Sequence, residues 1–257
     1  AVSISNIETL RFSGTGTSSL NLANATGITK VDLEVASTNA GVQTLRGITT
    51  INTITIDADD NTATQNDYPG LTIVSGYTGT ADALTIDVNS DATNGMNGTE
   101  GLITASGIEN LTIALDGGKA VQMGGFTSTT LADVTVTANS DFATAGTADL
   151  GTLTGGTKTT TSFDSSGADI ALTVVVADLA DNASVVLGDG ADTFDVTGST
   201  GTNITIDMGK GNDTFTGAES VEIVNGGAGN DTIDGVGGGD TLNGDAGNDT
   251  LTGDDGS

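Results

Sequence analysis

The sequence predicts an all-β protein wound as a parallel β-solenoid, a β-helix running into a β-roll, and three observations predict it. The first is a nine-residue repeat that keeps its register from Met208 to Thr252. The second is a set of short alternating apolar segments upstream, with no helical period of useful length. The third is composition: 39 Gly, a single proline at Pro69 and 3% aromatic residues in 257. So few aromatics cannot fill the thick core of a compact globule of this length, whereas small residues pack in thin layers. Thr and Val suit strands, and Gly, Asn and Asp suit the tight turns that join them.

From the N-terminus, a loose G-I-x-x-L-x-I pattern appears in Asn6-Ile7-Glu8-Thr9-Leu10-Arg11-Phe12, Gly27-Ile28-Thr29-Lys30-Val31-Asp32-Leu33 and Gly107-Ile108-Glu109-Asn110-Leu111-Thr112-Ile113. Alternation makes each a strand with one buried face. Further strands are expected at Thr53 to Ile56, Leu71 to Val74, Leu84 to Val88, Leu131 to Val136 and Leu172 to Val176. Their spacing varies by several residues, so insertions belong at the turns. Residues 1–186 therefore read as an irregular solenoid, with a sandwich of irregular strands as the alternative, and residues 187–257 as a regular roll. Both ends look like cut edges of a longer protein, and any targeting signal falls outside the segment.

The regular part divides into MGKGNDTFT from Met208, GAESVEIVN from Gly217, GGAGNDTID from Gly226, GVGGGDTLN from Gly235 and GDAGNDTLT from Gly244. An upstream copy, LGDGADTFD from Leu187, precedes the next by 21 residues, three more than two units span. In each unit six glycine-rich residues form a turn whose carbonyls point inward. The other three form a short strand with one apolar side chain in the core: Phe194, Phe215, Val224, Ile233, Leu242 or Leu251. Two units make one coil, so residues 18 apart stack at strand spacing.

Asp213, Asp231 and Asp249 then form one column; Asp192 is the candidate to extend it upstream if the three extra residues loop out, and Asp240 faces Glu222 on the opposite edge. Stacked carboxylates repel unless something neutralises them. A divalent cation between successive turns, held by two Asp and several carbonyls, has the roughly six to eight oxygens that calcium prefers. If each Asp merely formed an Asx turn, nothing would make the motif recur at nine-residue intervals with an apolar residue two places on.

These units match G-G-x-G-x-D-x-U-x, with U a large apolar residue, and the chain resembles the RTX family of type I-secreted calcium-binding proteins. The resemblance implies several calcium ions and their ligands. One ion takes the carbonyls of Gly209, Gly211, Gly226 and Ala228 with the carboxylates of Asp213 and Asp231. The next takes Gly227, Gly229, Gly244 and Ala246 with Asp231 and Asp249. Gly235, Gly237 and Asp240 belong to the opposite edge, where GAESVEIVN lacks two of the family's turn glycines. A narrower resemblance, to bacterial surface-layer proteins carrying RTX repeats, rests on Thr161-Ser162-Phe163-Asp164-Ser165-Ser166 followed by Gly188-Asp189-Gly190-Ala191-Asp192-Thr193. It implies export through a type I channel, folding on meeting external calcium, and assembly into a two-dimensional lattice on the cell surface. A lipopolysaccharide or other surface glycan would anchor the layer.

Charge points the same way. The chain carries 34 Asp+Glu against 6 Lys+Arg, a net charge of −28, and neither His nor Cys. That excludes histidine-based triads, thiolate nucleophiles and typical zinc, haem or iron–sulfur sites, and leaves hard, oxygen-liganded metals. Scattered basic residues and the negative charge make nucleic acid an improbable partner. The longest apolar stretch, Ile170 to Ala180, is interrupted by Asp178 and is too short to enter a membrane. From Leu187 onward there are 14 acidic residues and one basic, Lys210, a balance that keeps an unliganded chain expanded.

Other motifs carry less. Asp57-x-Asp59-x-Asn61 and Asp87-x-Asn89-x-Asp91 open like an EF-hand loop, but Thr62 and Ala92 replace its glycine, which leaves calcium-filled solenoid turns or solvated acids. No carboxylate pair stands apart with the aromatic platform of a glycosidase, so the segment is not expected to be an enzyme. Two function classes remain: a calcium-dependent, self-assembling surface-layer component, or a calcium-dependent adhesin or secretion module of a larger exported protein.

Overall fold

In the computed structural model the described residues are 4–5, 8–13, 18–22, 25–26, 28–34, 43–48, 52–57, 70–75, 81–90, 96–97, 101–117, 120–139, 147–156 and 159–253. All the regular structure among them is β, and every pairing between strands is parallel. The short pair Ile4–Ser5 and Ala25–Thr26 forms a small sheet of its own, and the short strands Met96–Asn97 and Val121–Gln122 flank the second of two large sheets. The other strands go alternately to these two sheets, so one turn of chain contributes a strand to each, which is the winding of a solenoid and rules out a sandwich. The first sheet runs through Thr9–Ser13, Lys30–Glu34, Thr53–Asp57, Ala83–Ser90, Asn110–Gly117, Asp133–Ala138, Thr160–Gly167, Leu179–Val186, Ile204–Asp207, Glu222–Asn225 and Thr241–Asn243. The second runs through Ser18–Asn21, Gln43–Ile48, Leu71–Ser75, Leu102–Ala105, Gly125–Thr127, Thr147–Thr154, Ala171–Val176, Thr193–Asp195, Thr214–Thr216, Thr232–Asp234 and Thr250–Thr252. Among the described residues no helix is long and apolar enough to cross a membrane.

Between the sheets lies one apolar core from Leu22 to Ile233. It is built by alternation: Leu111, Ile113 and Leu115 point in from one strand while Thr112 and Ala114 are only half-buried. Sheets and core continue through residues 186 and 187. There the rings of Phe163, on the first sheet, and Phe194, on the second, meet at 5.4 Å with a 56° tilt, a geometry worth about 0.5–1.5 kcal/mol beyond area burial.

The upstream motifs start earlier than their strands. Ile28 and Ile108 precede Lys30–Glu34 and Asn110–Gly117, yet both are buried. The isoleucine of the motif plugs the end of the coil, and only its second half pairs. Asp87 and Asn89 alternate along Ala83–Ser90 and do not sit on a turn; Asp87 faces outward, accepting from Thr55 Oγ1 at 3.0 Å with Lys30 Nζ 3.6 Å away. Asp59, Asn61 and Asp91 lie outside the described residues.

In the regular part Thr214 pairs with Thr232 and Thr232 with Thr250, the 18-residue stacking that two nonapeptides require. Upstream the step is 21: Thr193 pairs with Thr214 and Ser184 with Thr205. Ile204 already pairs with Glu222 at 18. The three extra residues therefore sit in loop 196–203, and the turn holding Asp192 stays in line with the one holding Asp213. Phe194, Phe215, Val224 and Ile233 are buried as expected, Leu242 is partly covered, and Leu251, with no described strand beyond it, is 45% exposed.

Candidate metal centre

The turns leading from the first sheet to the second, 187–192, 208–213, 226–231 and 244–249, stack along one edge. A Cβ on Gly209 or Gly227 would overlap the carbonyl of Gly188 or Gly209 one coil before, and a Cβ on Gly211, Gly229 or Gly247 that of Gly190, Gly211 or Gly229. All five glycines have positive φ, from 84° to 156°. Glycine at these places lets one turn lie on the next at strand spacing, about 4.8 Å.

That stacking lines up the acids. The N–H of Asp192 donates to Oδ1 of Asp213 at 2.8 Å, that of Asp213 to Asp231 at 2.9 Å and that of Asp231 to Asp249 at 3.1 Å. Leu172 N–H closes the series on Asp192 at 2.8 Å. The second carboxylate oxygen of Asp192, Asp213 and Asp231 is buried with no hydrogen-bond partner. A buried, acceptor-only oxygen without a donor is costly, and a cation is the partner that satisfies it. At Gly226 a Cβ would lie 2.6 Å from Oδ2 of Asp231 and 3.0 Å from the Gly244 carbonyl oxygen, so carboxylate and carbonyl face one small space.

The expected carbonyl ligands gather on the same edge. Gly209 and Gly227 accept the N–H of Ala228 and Ala246 at 3.0 and 2.8 Å, and Ala228 and Ala246 accept the N–H of Gly211 and Gly229, both at 2.8 Å. Each carbonyl has a second lone pair for an ion. Among the described residues no group of three acidic side chains could hold a metal by itself, so carbonyls must complete each coordination shell.

The opposite edge repeats this plan where the sequence left it open. Glu222 N–H donates to Asp240 Oδ1 at 3.0 Å, and Glu222, fully buried, keeps Oε2 without a partner. A Cβ on Gly217 would meet the Gly235 carbonyl oxygen at 2.6 Å and that Oε2 at 3.1 Å, as Gly226 does on the first edge. Gly237 N–H donates to the Ala218 carbonyl at 3.2 Å, matching Ala228 to Gly209, and Oδ2 of Asp240 lies 2.5 Å from a Cβ on Gly235. Ala218 and Ser220 stand where the nonapeptide pattern has glycine, and neither has a positive φ. Glu222 is thus a candidate ligand that motif matching passes over. The 18-residue step to Asp240 is the signal that finds it.

Burial pushes the carboxyl of Asp192 up to about 7 and that of Asp213 to about 6, partly offset by the N–H each accepts and reinforced by the next acid in the column. Burial likewise lifts Glu222 to about 7. These are acids short of a counter-charge. Nearby basic charge goes elsewhere: Lys210 pairs with Asp189 on the outer surface.

The profile of the RTX calcium-binding nonapeptide repeat, four copies, matches residues 209–233 and 234–257. The chain carries RTX calcium-binding repeats. RTX nonapeptides bind calcium ions at several sites, and the unsatisfied oxygens above are fitted to hold them. The matched residues include every expected ligand except Asp192, which shares the column through Asp213. No curated protein and no solved structure matches the chain.

Proposed function

We propose that this segment is a structural part of an exported bacterial surface-layer protein, in which RTX-bound calcium stiffens a solenoid that assembles with other copies into a two-dimensional lattice. The observation that carries the reading is the core running unbroken from Leu22 into the RTX coils. An RTX tail that serves only secretion would consist mostly of nonapeptides, whereas here most of the chain is a solenoid without them. RTX repeat proteins are typically secreted, which supports an extracellular location. The negative charge supports calcium as the agent that screens or bridges like-charged copies, with a surface glycan or lipopolysaccharide as anchor. The segment itself is read as non-catalytic, its buried acids, Asp178 apart, engaged in the columns.

The test is electron microscopy of the purified chain in millimolar calcium and after chelation. Ordered sheets only with calcium support the lattice reading. Dispersed particles in both conditions transfer the proposal to a calcium-dependent adhesin or secretion module, which the RTX repeats fit equally.

A further inference from the structure

A related arrangement, a strand-ending glycine facing a buried carboxylate oxygen and a carbonyl, lies among the described residues at Gly155, outside the nonapeptides. Here the carboxylate comes from the following coil and the carbonyl from the preceding one, whereas at Gly217 and Gly226 the carboxylate belongs to the glycine's own turn. Gly155 follows strand Thr147–Thr154 on the second edge, as Gly217 follows Thr214–Thr216. A Cβ on Gly155 would meet Oδ2 of Asp178 at 2.8 Å, the Leu131 carbonyl oxygen at 3.1 Å and Oγ1 of Thr159. These oxygens come from three successive turns of the same edge. Asp178 is 9% exposed, and its Oδ2 is buried with no partner at hydrogen-bond distance; burial pushes the carboxyl above its ordinary range, and the nearby N–H of Gly155 and hydroxyl of Thr160 offset this only in part. Its Oδ1 accepts from Thr160 Oγ1 at 3.4 Å, and Thr160 Oγ1 also reaches the Leu131 carbonyl at 3.3 Å. Thr159 Oγ1 accepts from Gly156 N–H at 2.8 Å and keeps a lone pair.

We infer that Asp178, Thr159 and the Leu131 carbonyl form a further calcium site, built on the irregular solenoid. The inference extends the calcium reading of the RTX coils but not the lattice proposal. One carboxylate among neutral oxygens makes this a weak site, filled at the millimolar calcium of extracellular modules. Its place suits a staple: it ties three coils where the nonapeptide columns do not reach.

The experiment counts calcium bound per folded full-length chain at millimolar calcium, by equilibrium dialysis and elemental analysis. Asp178→Asn should bind one ion fewer than the parent, and Asp231→Asn, altering an acid shared by two RTX sites, is the control. If Asp178→Asn keeps the parent's count while Asp231→Asn loses ions, the Gly155 site is overturned and the RTX sites stand. If both keep it, the RTX ligand assignment falls too. Should Asp178→Asn fail to fold, Thr159→Val decides: loss of one ion supports the site, and an unchanged count overturns it.

Discussion

The acids of the columns behave as a set of buried charges awaiting a counter-ion, and their titration gives the first prediction. Without calcium, Asp192 and Asp213 hold protons up to about 7 and 6 when folded, against 3.8 unfolded, and Glu222 up to about 7 against 4.5. Between those limits the folded chain binds more protons than the unfolded one. The stability these groups contribute is therefore full below the unfolded values and lost as pH rises through 6 to 7. Chelated protein should melt at a higher temperature at pH 5 than at pH 8. With calcium the order reverses, because protons and the ion compete for the same oxygens: the calcium concentration needed for folding should fall as pH rises. A calorimetric series at several pH values, with and without chelator, checks both halves. The turn glycines give a second. Gly229→Ala would drive a Cβ into the Gly211 carbonyl at a φ of 153°, and should cost about 1–3 kcal/mol or more. Gly239→Ala, with nothing within 4 Å of the added carbon, should stay within about 0.5 kcal/mol. Thermal melts in calcium distinguish the two.

Between whole strands, three kinds of side-chain ladder hold the coils together, and each was legible to a different degree. The Asp column was readable because its nine-residue step is strict and its chemistry demands a counter-ion. Beside it runs a ladder of neutral amides: Asn230 N–H donates to Asn212 Oδ1 at 2.8 Å and Asn248 N–H to Asn230 Oδ1 at 2.9 Å, opposite in direction to the Asp bonds. The Asn before Asp213, Asp231 and Asp249 recurs at the same 18-residue step, yet that step alone did not disclose the ladder; the register shows that both side chains point along the stack. Least legible were the hydroxyl staples of the irregular coils. Buried Ser199 accepts Leu179 N–H at 3.2 Å and donates to the Val176 carbonyl at 3.0 Å, and Ser128 does the same for Ile108 at 3.2 and 2.8 Å. A lone serine in a Thr- and Ser-rich sequence carries no spacing signal, and strands such as Thr147–Thr154 were hidden by the small residues that alternate along them. Because a hydroxyl satisfies both a donor and an acceptor, these coils need no ion at that point. Ser199→Ala should therefore destabilise by about 1–3 kcal/mol, and by the same amount in calcium and in chelator, as denaturant melts would show.

Across the whole molecule the solenoid is nearly one-dimensional: each coil touches only its neighbours, so stability is a sum of local and nearest-neighbour contributions and can be lost from one end. The two ends differ in what supplies that stability. Upstream, the coils from Asn110 to Val186 enclose Leu111, Phe126, Phe163 and Val174, all buried, with hydroxyls serving as staples. Downstream, strands of three or four residues enclose one or two apolar side chains each, and the turns bring Asp213, Asp231 and Glu222 into the interior. Burying one Phe or Ile contributes about 1.5–3 kcal/mol, comparable to the cost of one uncompensated buried carboxylate. On this balance calcium should decide whether the RTX coils hold, whereas the upstream coils should hold mainly on packing. Chelation should consequently melt the molecule in order, with amides of residues 208–253 losing hydrogen-exchange protection first and those of 110–186 keeping theirs, except locally at the turns holding Leu131, Thr159 and Asp178, where the inferred further ion would be lost too. Phe163 and Phe194, stacked across the junction at 5.4 Å, should mark where the loss stops. Hydrogen exchange read by mass spectrometry, with and without chelator, would show this as a protection gradient along the chain. Uniform loss over both regions would mean that calcium supports the whole solenoid, and an unchanged pattern would mean that the columns do not depend on it.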